Sequence, residues 1–198
     1  NSQSESDNNA STTEAMIDTS FDPDDLDVGY DESSACVVTL NGDSAEISGT
    51  GAEFSDGSLI ISAAGTYLLS GAIPDGQIII DADKESEIKL VFNGVNISCS
   101  DNAAIFIDDA DKVTITLESG SENYLSDGEQ YNLEEETSNV DGAIFSRADL
   151  TLNGSGSLDI TANYKHGIVC KDDLVIAGGS YTVNSASGGI YGKDSIKI

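Results

Sequence analysis

Three short stretches put a cation beside a carboxylate at a repeating interval. They are Arg147-Ala148-Asp149, Lys171-Asp172-Asp173 and Lys193-Asp194-Ser195, spaced by 24 and 22 residues. If that interval is one pass of a repeating structure, the three stretches stack at the strand spacing of about 4.8 Å. Asp149 then lies above Asp173, and Asp172 above Asp194. Two carboxylates at that separation raise each other's pKa unless a cation lies between them. Calcium, which takes roughly 6–8 oxygens at about 2.4 Å, suits such a pair. The simpler alternative is a charge ladder in which Lys171 and Lys193 neutralise the acids. The same row, Arg147, Lys171 and Lys193, is a candidate contact for an anionic ligand, and Tyr164 and Tyr191 are candidate platforms for sugar rings.

Catalysis is harder to read from these residues. His166 is the only histidine. Placed before Gly167, it resembles polygalacturonase sites only in that local pattern; order and spacing differ, and a surface histidine is the expectation. A lyase needs a basic side chain beside a metal-held uronate. Lys165, Lys171, Lys193 and Arg147 supply the residue types, which keeps a lyase open as the alternative to a binding function. Cys36, Cys99 and Cys170 lack metal-ligand spacing, so zinc is not expected. Cys99 and Cys170 follow Ile97 and Ile168 at strand alternation and read as core residues.

These residues must be held by a repeat. Ile144, Ile168 and Ile190 align at the same 24- and 22-residue intervals, and six residues later so do Leu150, Leu174 and Ile196. Asn153-Gly154 and Ala177-Gly178 follow as turns, then Leu158–Ile160 and Tyr181–Val183. Earlier passes begin near Ile78 and Ile105. Two or three short strands per period of 22–24 residues predict a β-solenoid whose inward Ile and Leu form continuous ladders. Leucine-rich repeats would need a helical half, and calcium β-rolls a nine-residue glycine-rich repeat; neither pattern occurs. The pass starting at Ile105 is too long, because Ile144 follows 39 residues later. The excess, between Leu125 and Val140, reads either as a functional loop or as an exposed acidic one.

The chain has 198 residues, 38% of them hydrophobic, with 36 acids against eight bases and a net charge of −28. That field repels nucleic acid and anionic membrane surfaces. No apolar run approaches the ~20 residues of a membrane span. Residues 1–33 carry ten acids and no base, and read as a disordered acidic spacer ahead of a β-helix over residues 34–198. A secreted or cell-surface bacterial location is expected, with a lipid anchor upstream of Asn1 as an option. Because Ile198 falls in mid-coil, a longer solenoid truncated at its C-terminus is expected.

Several motifs occur in a familiar order: Gly65-Thr66-Tyr67-Leu68-Leu69-Ser70-Gly71, Leu90-Val91-Phe92-Asn93-Gly94-Val95, Leu125-Ser126-Asp127-Gly128, Ala143-Ile144-Phe145-Ser146 and Leu150-Thr151-Leu152-Asn153-Gly154-Ser155-Gly156. Over residues 36–198 the chain resembles bacterial carbohydrate-binding domain-containing proteins. The resemblance implies a right-handed parallel β-helix like that of pectate lyases. It also implies bound calcium as cofactor and a plant cell-wall polysaccharide as partner, either polygalacturonate or cellulose, without implying lyase activity. A purely structural surface solenoid is the third reading. The family often places Asp before Gly-Ile. Here Gly142, His166 and Gly188 hold that row, and Asp141, one residue earlier than Gly142, is the remaining candidate metal ligand there.

Overall fold

The computed structural model describes residues 20–198 apart from residue 136. The chain is all-β, and its strands pair in parallel between successive passes. The cause is register. In one sheet Leu59, Ile78, Ile105, Ile144, Ile168 and Ile190 pair in sequence as one inward ladder. In the other, Ile88, Val113, Leu150, Leu174 and Ile196 do the same, with Leu90, Ile115, Leu152 and Ile176 beside them. Slipping one strand by one residue would turn its apolar set to solvent. Ile105 pairs directly with Ile144 although 39 residues separate them, so the excess residues loop out and leave the ladder intact.

The long strands Gly65–Ile73 and Glu87–Ser98 bend partway. Their first halves align with Lys112–Leu117, Asp149–Gly154, Asp173–Ile176 and Ser195–Lys197. The second half of Glu87–Ser98 aligns with Glu122–Ser126, Ser157–Ala162 and Ser180–Ser185. The second sheet, from Ser58–Ile61 to Ile190–Gly192, forms the remaining face. Gly71 sits in the bent strand with φ +91°, and a Cβ there would meet the Leu40 carbonyl at 2.1 Å, so only glycine lets the first strand approach this closely. The N-terminal end is closed by two antiparallel hairpins, Cys36–Asn41 with Ala45–Ser48 and Ala52–Ser55 with Ser58–Ile61. All three cysteines are buried free thiols. Burial pushes the Cys99 and Cys170 thiols up to about 11.

The expected spacer departs from expectation where it can be followed. Residues 1–19 lie outside the described residues, but from Ser20 onward the segment is docked as a strap across the outer face of the first sheet. Asp25, in the short helix Pro23–Leu26, is 3% exposed. Its Oδ1 receives Lys112 Nζ at 2.7 Å and Thr151 Oγ1 at 2.9 Å. Asn153 Nδ2 donates to the carbonyls of Asp25 and Asp27, and Lys89 Nζ to those of Asp27 and Gly29. Tyr30 donates to Glu118, and Lys197 to the Ser20 carbonyl. Composition correctly excludes an apolar anchor for this segment, but it does not reveal polar partners on the sheet.

Two outcomes follow from these contacts. Leu150→Ala, in the middle of an inward ladder, should cost about 2–5 kcal/mol in denaturant unfolding; a loss under about 0.5 kcal/mol would mean that the ladder is not a packed core. Burial alone raises the Asp25 carboxyl, yet the hydrogen bonds from Lys112 and Thr151 outweigh it and hold the group below its ordinary 3.8. A depressed carboxyl contributes stability above its unfolded pKa and loses that contribution as pH falls through its folded value. Acidification below 3.8 should therefore release the strap, and Asp25→Asn should loosen it at neutral pH. NMR shifts of the amides of residues 22–30 read both, and amides that stay unmoved in the variant would refute the role given to this ion pair.

Candidate functional site

The three cation–acid stretches form one corner between the second sheet and the first. Each is the turn joining a strand of the second sheet to its successor: Gly142–Ser146 to Asp149–Gly154, His166–Cys170 to Asp173–Ile176, and Ile190–Gly192 to Ser195–Lys197. The turn backbone is itself laddered. Arg147 N–H donates to the Ile107 carbonyl, Lys171 to Ser146 and Lys193 to Cys170, at 2.8–3.0 Å. Arg147, Lys171 and Lys193 are thereby stacked as the spacing predicts.

Each cation has a local partner. Arg147 pairs with Asp108, donates to Asn139 Oδ1 at 3.1 Å and lies over the Phe106 ring. Lys171 Nζ is 3.8 Å from Asp141 Oδ1, 5.1 Å from the Phe145 ring centroid and 5.5 Å from that of Tyr191. Lys193 pairs with Asp194 at 3.3 Å.

The five acids proposed as metal ligands are divided among three places. Asp149 and Asp173, next to the register pair Leu150–Leu174, stack as expected, and one oxygen of each is engaged within the protein: Asp149 Oδ1 accepts from the Asp173 N–H at 3.1 Å, and Asp173 Oδ1 from Ser195 Oγ at 2.7 Å. Burial, then repulsion from Asp172 and Asp173, raises the Asp149 carboxyl. Asp172 and Asp194 occupy matched turn positions between the register pairs Cys170–Gly192 and Asp173–Ser195. Asp141 stands apart from both, beside Lys171, with a buried Oδ1 that accepts no hydrogen bond. Among the described residues, no three of His, Cys, Asp and Glu converge to enclose a metal ion.

The outer face of the second sheet carries a stripe at the same 24- and 22-residue intervals as the inward ladder. Ile79, Phe106, Phe145, Val169 and Tyr191 succeed one another in register, pointing away from the core. The long insertion covers the middle of it: Val140, Tyr131 and Leu133 pack on Phe106, Phe145 and Val169. Asp127 clasps the insertion, receiving Tyr131 Oη at 2.6 Å as well as the Asn163 N–H. Burial raises the Asp127 carboxyl and pushes the Tyr131 hydroxyl upward, so Tyr131 remains the donor. Tyr131 also stacks on Tyr164 at 4.4 Å, with Lys165 over the Tyr164 ring. Tyr164 is thus covered by both Tyr131 and Lys165, whereas Tyr191, 47% exposed, ends the stripe with Lys171 over its ring and His166 tilted beside it at 6.3 Å. His166 accepts the Gly188 N–H at Nδ1, 3.1 Å away.

Residues 55–198 match the profile of a family described as carbohydrate-binding domain-containing protein. A protein of that description from Acetivibrio thermocellus is 42% identical over 136 residues, which is 68% of this chain and 48% of the relative. The chain thus spans about half the length of that relative. A solved structure, described as the polysaccharide lyase-like protein from C. thermocellum in a gadolinium derivative, superimposes with TM-score 0.79 at 36% identity, covering 82% of this chain and 66% of that one.

The clasp on the insertion is testable. Tyr131→Phe keeps the ring that stacks on Tyr164 and removes the donor to buried Asp127. It should cost about 1–3 kcal/mol in denaturant unfolding, the penalty of an unsatisfied buried polar group. An unchanged denaturation midpoint would show that water replaces the hydroxyl.

Proposed function

Since the chain belongs to the family of carbohydrate-binding domain-containing proteins, we propose that it is a secreted or cell-surface module that binds acidic plant cell-wall polysaccharide, polygalacturonate foremost, along the corner of a right-handed parallel β-helix. The observation that carries this reading is the stacked row Arg147, Lys171 and Lys193 beside the half-exposed ring of Tyr191. A uronate chain presents a carboxylate on each sugar and a flat apolar ring face. Cations at a regular rise meet the first, and a tyrosine meets the second. The Lys193–Asp194 pair is more than half exposed on both sides. Such a pair contributes little by itself, so a ligand carboxylate can replace Asp194 at small cost. Lys171 would meet the ligand while keeping Asp141, whose paired Oδ1 is buried.

The net charge of −28 opposes a polyanion, which is where calcium enters the proposal. Asp172 and Asp194 would hold it at the turn. With only two protein carboxylates, most of its oxygen positions would remain for water or for a uronate. A lyase would use the same corner. The ion-paired, ring-flanked position of Lys171 favours binding over proton abstraction, and release of unsaturated uronate at saturating substrate would reverse that choice.

Titration calorimetry of the full chain with oligogalacturonate, with and without EDTA, tests both parts. Lys171→Ala should weaken binding about tenfold, equivalent to about 1.4 kcal/mol. EDTA should weaken it further, and Asp172→Ala or Asp194→Ala should remove that EDTA response. Cellulose, being neutral, should respond less to either. Affinity unaffected by Lys171→Ala and Arg147→Ala would sink the corner as the site; affinity unaffected by EDTA would remove calcium and leave the cations as the contact.

A further inference from the structure

The strap is built in an unusual sense. A segment that merely stiffens a sheet buries its apolar side chains against it. Here Leu26 and Val28 face solvent, 52% and 49% exposed, while the carboxylate of Asp25 is inserted. Polar contacts tie the strap to the sheet, with the sheet as donor from Lys112, Thr151, Asn153 and Lys89 and the strap as donor from Tyr30. Three of the eight basic residues, Lys89, Lys112 and Lys197, hold this one segment. In a protein of net charge −28 that is a costly concentration of cations, and it matches the corner row in number.

The sheet itself is shaped to receive. Lys112 Nζ and Thr151 Oγ1 converge on one carboxylate oxygen. Asn153, its amide oxygen held by Thr116 Oγ1 at 2.7 Å, presents Nδ2 outward to two successive acceptors. Lys89 presents a further donor. Clefts of about 380 Å³ and about 300 Å³ lie along the strap, the first lined by Thr66, Lys89, Lys112 and Thr114, the second by Thr116, Glu118 and Gly154. Across the strands the sheet therefore offers a carboxylate slot followed by donors for oxygen acceptors.

We propose that this outer face of the first sheet is a second binding groove, for the carboxylate and neighbouring oxygens of an acidic sugar chain, and that Asp25 occupies it in cis as a tethered competitor. The proposal rests on the reading that the protein binds acidic polysaccharide. The strap is a self-ligand with two acceptor types, carboxylate and carbonyl oxygen, standing where a uronate's carboxylate and hydroxyl or ring oxygens would go. Being covalently attached, it meets the groove at high effective concentration. The groove is then closed to dilute ligand and opens only to a dense polyanion or after strap release.

The experiment uses the full chain and oligogalacturonate as probe, read by calorimetry and by the Thr151 methyl signal in NMR. Wild type should show corner binding alone. Asp25→Asn should add a second, independent class of sites, with Thr151 shifting as that class fills, and Lys112→Met placed in the Asp25→Asn background should remove it. Should the strap stay docked in Asp25→Asn, Asp25→Lys forces it off by repulsion from Lys112 and Lys89, and the same second class is expected. If the freed groove leaves Thr151 unmoved and adds no class while corner binding persists, the strap is only a plug and the corner reading stands. If Lys171→Ala and Arg147→Ala leave wild-type binding intact but strap release still adds the Thr151-linked class, the corner fails and the groove stands. If no variant binds the probe, both are overturned.

Discussion

Parallel register is the constraint on which the rest depends. Because Ile105, Ile144, Ile168 and Ile190 must stay in one inward ladder, the strand residues flanking them inherit fixed positions one strand spacing from their counterparts. The corner cations stack for that reason and for no other: their turns join strands whose register is set by the core. The same constraint lines Phe106, Phe145, Val169 and Tyr191 into an outward stripe. Repetition in the core is thus converted into a linear array on the surface, the shape suited to a polymeric ligand.

Charge supplies the second theme. With 36 acids and eight bases, the acids are a background and the cations carry the information. Three line the corner and three hold the strap. The two fully buried acids, Asp25 and Asp127, are individually satisfied, whereas Asp141 keeps one buried oxygen without a hydrogen bond. Asp25 is held by Lys112 and Thr151, and Asp127 by Tyr131 and Asn163. Burial raises both, but Asp25 has a cation in contact and ends below its ordinary pKa, whereas Asp127 has only neutral donors and ends above it.

The sequence by itself determined the repeat, the inward ladders, the stacking of Arg147, Lys171 and Lys193, and the burial of Cys99 and Cys170, because strand alternation and coil spacing are properties of the linear chain. It also carried the motifs by which the family could be named. Only the tertiary structure decided how the non-periodic parts fold. The insertion ending at Val140 covers an outward aromatic stripe, and no local pattern announces that Tyr131 will meet Asp127 and Tyr164. The strap offers Asp25 to Lys112 and Thr151 across 87 and 126 residues of chain, a pairing invisible to composition, which registers only that the segment lacks apolar residues. Asp149 and Asp173 were placed in register from spacing alone, but whether their oxygens were free was not. Side-chain and backbone donors compete for each carboxylate at hydrogen-bond distance, and the winner is set in three dimensions, where the Asp173 N–H and Ser195 Oγ lie closest.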